Sequence, residues 1–402
     1  MTAQEERGPL AGVRILDLTR VLAGPFGTML LGDAGAEIVK VEPLTGDQTR
    51  TWGPPFVGGE AAYYLSVNRN KRSLALNLAD PRGQEVLRRL AREADALVEN
   101  FKLGTMERWG LGYANCLRPL NPRLVYLSIS GFGRQGPYAE RPGYDVILEA
   151  FGGLMSITGE PDGEPMKVGV AIIDVLTGAL AAYAVAAALL ERERTGKGQE
   201  IDLSLLDAQV AALANQAGSY LASGEVPKRY GNSHPSIVPY QVFRARDRRI
   251  MVAVGNDRQF RTLCEELGRP ELAEDARFST NPKRVEHREE LVPELEAAFR
   301  ERSAEEWEED LNPLGVPVAP INSLDRALTH PQVLFRELVR TVSHPTAGEI
   351  RIPGPPVRFP GGRKQRVHSP PLLGEHTWEI LRSAGYRDEE IRALVDAKVV
   401  GE

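Results

Sequence analysis

The sequence predicts a mixed α/β fold built on a parallel sheet, and three observations predict it. Short β-branched apolar runs alternate with helical patterns over the first 130 residues. One helical stretch, 26–36, joins the runs VRILDLT (13–19) and EIVKVE (37–42), the mark of a strand–helix–strand unit with a right-handed crossover. From about residue 226 the texture changes to paired short strands and charged helical segments, which predicts a second, smaller α+β domain.

The elements follow in order. SLALNL (73–78) is a third strand candidate. Asp80 then caps a helix whose first position is Pro81, where no N–H is required. That helix feeds ALVENF (96–101), and RLVYLSIS (123–130) follows before a glycine-rich turn. This alternation reads as a Rossmann-like domain. After the Gly- and Pro-rich loop 156–172 comes Asp174 and a long Ala-rich helix, with Gly196 placed to end it in the left-handed conformation. Residues 200–224 read as a strand and a helix. In the smaller domain, 230–256 suggests antiparallel strands around an Asp247–Arg248 turn. GVPVAPIN (315–322) suits an edge, because proline cannot donate to a ladder. The tail, 369–400, ends in two helices.

These readings set the expected organisation. Residues 1–200 begin the large domain, 201–225 form a linker helix, 226–325 the small domain, and 326–402 a linker that returns to the large one. A chain of 402 residues suits two domains. The net charge of −6 argues against a nucleic-acid partner. Two distant cysteines, Cys116 and Cys264, give no disulfide framework, and six scattered histidines give no metal spacing. The polar start 1–10 carries no apolar leader. The longest apolar stretch, Val175–Leu190, is shorter than the roughly 20 residues a span needs, and reads as a buried helix. A cytoplasmic enzyme with no membrane partner is expected.

Several motifs are missing. The first strand is followed by Ala23-Gly24-Pro25-Phe26-Gly27, not by the dinucleotide glycine fingerprint. No phosphate-binding P-loop and no serine-hydrolase elbow is present. The sharpest candidate is Asp174, at the start of the apolar helix. It reads as an N-cap, as a nucleophile, or as both. A helix N-terminus favours the charged carboxylate by roughly 0.3–1 kcal/mol, and a partly desolvated carboxylate can attack a thioester.

The phrase LDLTRVLAGPFGTMLLGDAGAEIVKVEP resembles the N-terminal signature of class III (CaiB/BaiF-type) CoA-transferases. So do NRNKRSLALNL (68–78), ALVENFKLGTMERWGLGY (96–113), RPGYD (141–145), GVAIIDVLTG (169–178), GNSHPSIVPYQVF (231–243) and PLLGEHT (371–377). Residues 46–71 are most similar to members acting on succinyl-CoA and dicarboxylic acids. The resemblance implies that Asp174 is the catalytic aspartate, carrying the acyl group as an anhydride and then coenzyme A as a thioester. It places coenzyme A contacts on Leu22, Ala23, Leu76, Asn77, Leu78, Ala79, Asn100, Phe101, Lys102, Arg108, Tyr144 and Asp145. Lys71, Lys102 and Arg108 are cations suited to its phosphates. Acyl-CoA is then a substrate, a carboxylic acid the second substrate, and no tightly bound cofactor is required. The resemblance also implies an interlocked homodimer. Where relatives place a basic residue after the second strand this chain has Pro43, and Arg50 is the candidate replacement.

Other residues carry two readings. Arg20, where relatives have histidine or another residue, suits bidentate contact with a distal substrate carboxylate or a structural ion pair. Trp52 reads as a packed loop aromatic, and His234 as structural or as facing the acyl pocket. Glycines near 152–153 and 231 are candidate oxyanion donors. The alternative activity is a 2-methylacyl-CoA racemase-like isomerisation, which needs an acid–base pair. Those relatives carry histidine where this chain has Tyr144, a poor base with a reference pKa of about 10. The glycine run of oxalate-type relatives is absent after Gly231.

Overall fold

The computed structural model describes residues 8–359 and 367–402, so the acidic start 1–7 and part of the expected return linker lie outside the described residues. The chain divides into two compact units. One holds residues up to Leu154, Val168–Ala222 and Gln332–Glu402, and the other holds Met155–Lys167 and Ser223–Pro331.

The first unit is organised by a seven-stranded sheet. Its strands are β1 (Arg14–Asp17), β2 (Glu37–Glu42), β3 (Lys71–Leu76), β4 (Ala96–Glu99), β5 (Val125–Ser130), β6 (Glu200–Ser204) and the C-terminal strand Val400–Gly401. The spatial order is C-terminal strand, β3, β2, β1, β4, β5, β6. β1 to β6 are parallel to their neighbours, with Leu16 opposite Val39 on one side and Leu97 on the other. Val400–Gly401 pairs antiparallel with β3, so the chain end returns to this sheet. The order 3-2-1-4-5-6 reverses direction between β1 and β4, and open parallel sheets bind ligands at the carboxyl ends of strands at such a point.

Helices cover both faces. α1 (Ala23–Asp33), α2 (Pro81–Arg92), α3 (Asp145–Phe151), α4 (Ile172–Thr195) and α5 (Leu205–Ala212) fix the site. α1 begins three residues earlier than expected, because Pro25 fits its first turn, where N–H groups have no helical acceptor. Asp80 caps α2 by accepting from the Arg82 N–H at 2.8 Å, and Gly196 ends α4 with φ of 72°. Leu16, Val39, Leu74, Leu87 and Leu97 join α2 and the C-terminal helices in one core. Ile15, Ile38, Val98, Leu127, Ile173 and Val185 join α1 and α4 in the other.

α4 is long and apolar enough to span a membrane by length and composition alone. It buries a stripe, Ile173, Thr177, Ala181, Val185, Leu189 and Arg192, spaced by three and four residues. The helix expected to be buried is buried along this stripe, while Tyr183 on the other face is 71% exposed and Leu190 58%. The loop before Asp174 is irregular over 169–171, and the helix begins at Ile172.

Beneath the strand ends runs a buried chain of charges. The Lys71 Nζ meets Asp17 at 2.9 Å and the Pro25 carbonyl at 2.8 Å, with both side chains wholly buried. Lys40 pairs with Asp47 at 3.0 Å and donates to the Thr19 carbonyl at 3.0 Å. Arg50 pairs with Glu42 at 2.8 Å and with Glu60 at 3.1 Å. Burial pushes the Asp17 carboxyl up, but Lys71, Lys40 and two threonine hydroxyls outweigh it and hold it far below its usual range. Burial pulls the Lys71 ammonium down to about 8. Lys71 is therefore a core cation and not the phosphate contact expected of it, and Arg50 is likewise spent on its carboxylates.

The second unit carries a three-stranded antiparallel sheet. Tyr240–Arg244 and Arg249–Ala253 meet at the Asp247–Arg248 turn, and Val318–Pro320 forms the edge, as its prolines require. Phe243, Phe260, Phe299 and Trp307 fill its core. His234 is engaged there: its Nδ1 accepts the Ser236 N–H at 3.0 Å and its ring tilts on Tyr240 at 5.3 Å.

Candidate active site

A cavity of about 430 Å³ opens in the first unit where the sheet order reverses. Residues following β1 (Arg20 to Ala23), β4 (Asn100 to Lys102) and β5 (Gly131) line it, together with Tyr144 and Asp174. All three loops leave the carboxyl edge of the sheet, so parallel winding is what collects them.

Two glycines set the position of Asp174. A Cβ on Gly27 of α1 would lie 2.6 Å from the Gly178 carbonyl of α4, and one on Gly178 would lie 2.5 Å from the Ala23 carbonyl. The helix backbones therefore touch. Ala23 is one turn before Gly27, and Asp174 one turn before Gly178, so both helices present their N-terminal turns to the cavity.

Asp174 is not the N-cap that its position suggested. Ala171 occupies that place. The free N–H groups of α4 are met by the buried Asp145, whose Oδ1 accepts from Ile173 at 2.7 Å and from Asp174 at 3.1 Å. Asp145 thus serves the helix, which leaves the Asp174 carboxylate with no hydrogen-bond partner among the described residues. Burial, and then the neighbouring Asp145 charge, push the Asp174 carboxyl up to about 7. These two effects exceed the favourable dipole of the helix. Tyr63 feels the same charge: burial, then Asp174, Asp145 and Asp47, push its phenol up to about 12. Trp52 packs edge-on against Tyr63 at 5.3 Å.

The other expected residues separate into groups. Leu22, Ala23, Asn100, Phe101, Lys102 and Tyr144 line the cavity with Asp174. The Asn100 amide clamps the β1 loop, accepting from the Arg20 N–H at 2.9 Å and donating to the Arg20 carbonyl at 2.9 Å. Phe101 lies 5.0 Å below the Arg20 guanidinium. Lys102 is exposed at the rim without an ion pair among the described residues. Leu76, Asn77, Leu78 and Ala79 end β3 on the same edge of the sheet, outside the cavity lining. Arg108 also lies outside the lining, exposed and bonded to the Thr105 hydroxyl at 2.7 Å. Two of the candidate glycine donors are already engaged: the Gly152 N–H donates to Leu148 at 2.7 Å and the Gly231 N–H to Gly159 at 3.0 Å.

Sequence reasoning missed Arg141, Tyr63 and the capping role of Asp145. Arg141 lines the cavity with its guanidinium 3.6 Å from the Tyr138 ring and no ion pair among the described residues. Its place within RPGYD, three residues before Tyr144, was the available signal. Nothing local marks Asp145 as the cap of a helix that starts 27 residues later.

The family model for CoA-transferase family III matches residues 10–377. The chain belongs to this family. The transferase is 47% identical to the succinyl-CoA:glutarate CoA-transferase of Homo sapiens, over 98% of this chain and 90% of that protein. It is 46% identical to the succinate–glutarate CoA-transferase of Agrobacterium fabrum, over 93% and 95% of the two chains. The crystal structure of a CaiB/BaiF family protein from Brucella suis superposes with a TM-score of 0.84 at 44% identity, covering 94% of this chain and all of that one.

The raised Asp174 carboxyl has a consequence for the transferase's stability. The folded chain keeps this proton until about pH 7, whereas an unfolded aspartate loses it near the ordinary value of 3.8. Stability is therefore lost as pH rises from 4 through 7, on the order of 2 kcal/mol once partial exposure to water is discounted. Asp174→Asn is expected to melt higher than wild type at pH 8, with the gap closing towards pH 4. Thermal melts across this range check it, and an equal gap at both ends contradicts it.

Proposed function

We propose that this transferase moves coenzyme A from succinyl-CoA to a dicarboxylic acid through an aspartyl-CoA thioester on Asp174. The observation that carries the reading is a carboxylate held at a cavity by its helix yet bonded to none of the described residues, because Asp145 performs the capping. A structural aspartate would use its oxygens. The names of the human and Agrobacterium relatives support the choice of acids.

The chemistry needs no proton in its net balance. An Asp174 oxygen attacks the thioester carbonyl, the C–S bond breaks, and a mixed anhydride and coenzyme A thiolate result. The thiolate attacks the aspartyl carbonyl, the anhydride C–O bond breaks, and the first acid leaves as its carboxylate. The acceptor carboxylate then attacks the aspartyl-CoA thioester, and the same steps run in reverse. Each attack produces an oxyanion that requires donors. The Ala23 and Gly24 N–H groups open α1 without an acceptor among the described residues, beside the Asp174 turn. Lys102 and Arg141 suit the phosphates at the rim, and Leu22, Asn100, Phe101 and Tyr144 suit the pantetheine arm. Coenzyme A is substrate, and no further cofactor is invoked.

Only ionised Asp174 attacks, so the rate rises with pH up to about pH 7, where its carboxyl titrates. The enzyme works as a homodimer of interlocked chains. Large apolar side chains left exposed on its helices, Phe151, Tyr183, Val210 and Leu221 among them, support burial against a second copy.

Acyl-CoA products from succinyl-CoA and a panel of dicarboxylic acids, resolved by LC–MS, test the activity. A new acyl-CoA is expected with wild type and a loss of at least about a thousandfold with Asp174→Ala. Turnover surviving in the variant removes Asp174 as nucleophile. Sedimentation equilibrium is expected to give twice the chain mass, and a monomer at micromolar concentration contradicts the assembly.

A further inference from the structure

The Arg20 guanidinium is a half-buried cation in the cavity that holds Asp174, and it forms neither an ion pair nor a hydrogen bond with any described residue. Its surroundings explain neither its charge nor its burial. The structural ion pair that would make it a scaffold residue is missing. Asp47 acts on it from a distance but is committed to Lys40 and to the Thr49 N–H and hydroxyl. The other cavity cations differ. Arg134 is neutralised by Glu107 at 3.1 Å and Glu200 at 3.0 Å, and Lys102 and Arg141 are exposed.

The chain holds this residue firmly. Asn100 clamps both the N–H and the carbonyl of Arg20, and the Phe101 ring backs its guanidinium plane. The next residue, Val21, sits at φ of 68°, a left-handed conformation that a β-branched residue adopts only under constraint. Its N–H reaches the Asp47 Oδ1 at 3.4 Å. A strained turn, held from two sides, therefore aims a planar fork of unused N–H donors at the cavity of the reacting aspartate.

We infer that Arg20 binds the distal carboxylate of the dicarboxylic substrate while the other carboxyl meets Asp174. The assignment rests on the proposed transfer and gives its acid specificity a residue. A carboxylate supplies the two coplanar acceptors that the fork lacks. A monocarboxylic acid of the same length leaves a half-buried cation unpaired, which is the costly outcome.

The test is a competition between glutarate and pentanoate for one pool of enzyme charged from succinyl-CoA. Because both acids draw on the same donor half-reaction, their product ratio reports only the acceptor step. It is also independent of the fraction of enzyme folded. Wild type is expected to favour glutarate. Arg20→Gln is expected to lower the glutarate-to-pentanoate ratio by at least about tenfold, and Arg20→Lys to keep part of it, since lysine supplies charge without the fork. An unchanged ratio with both products reduced together overturns the assignment. Wild type that transfers to neither of these acids, nor to any dicarboxylic acid of the panel, overturns the transfer reading itself, and the assignment with it.

Discussion

The glycine-on-glycine contact between α1 and α4 is the constraint on which the site depends. Gly27 and Gly178 let two helix backbones approach until a single added methyl group would collide with a carbonyl oxygen. That closeness sets two helix N-termini side by side at the point where the sheet reverses its winding. One terminus brings N–H groups unpaired among the described residues and the other brings Asp174. A bulkier residue at either glycine would separate the carboxylate from the donors its chemistry uses.

Electrostatics then divides the labour between two aspartates. Asp145 lies across the start of α4 and takes the bonds that a local cap would take. Its presence does two things at once. It fixes the helix end, and its charge, added to burial, holds the Asp174 proton up to about 7. A carboxylate of that basicity attacks a thioester better than an ordinary surface aspartate, while remaining largely ionised just above neutrality. Below the same loops, the buried chain Lys71–Asp17 and Lys40–Asp47 secures the turn that carries Arg20 and Val21 through the Thr19 and Pro25 carbonyls. Lys71, which looked like a ligand in the sequence, is with Lys40 the ballast of the turn.

Much of this was legible in the residues. Alternating β-branched runs and helical patterns marked the parallel sheet. Asp80-Pro81, Gly196 and the Asp247–Arg248 turn marked ends that are local events, set by one or two side chains. The places where reading fell short are those decided by distant parts of the chain. Asp174 looked like a cap because the true cap, Asp145, is remote in sequence. Lys71 looked like a free cation because its partner, Asp17, lies on a strand two places away in the sheet. The Ala-rich helix read as buried without showing which side, because composition carries no information about which face the neighbours cover. Gly152 looked like a free donor because the end of α3 was not visible. A shape or pairing created only by winding the sheet leaves no local pattern.

The claim that joins these observations is that Asp174 itself carries coenzyme A. Intact-mass spectrometry of enzyme quenched rapidly after mixing with succinyl-CoA, followed by mapping of the modified peptide, tests it most directly. The account predicts an adduct equal to coenzyme A less one water, confined to the peptide containing Asp174 and discharged by added dicarboxylic acid. An enzyme that turns over without any such adduct, or an adduct on another residue, would contradict it.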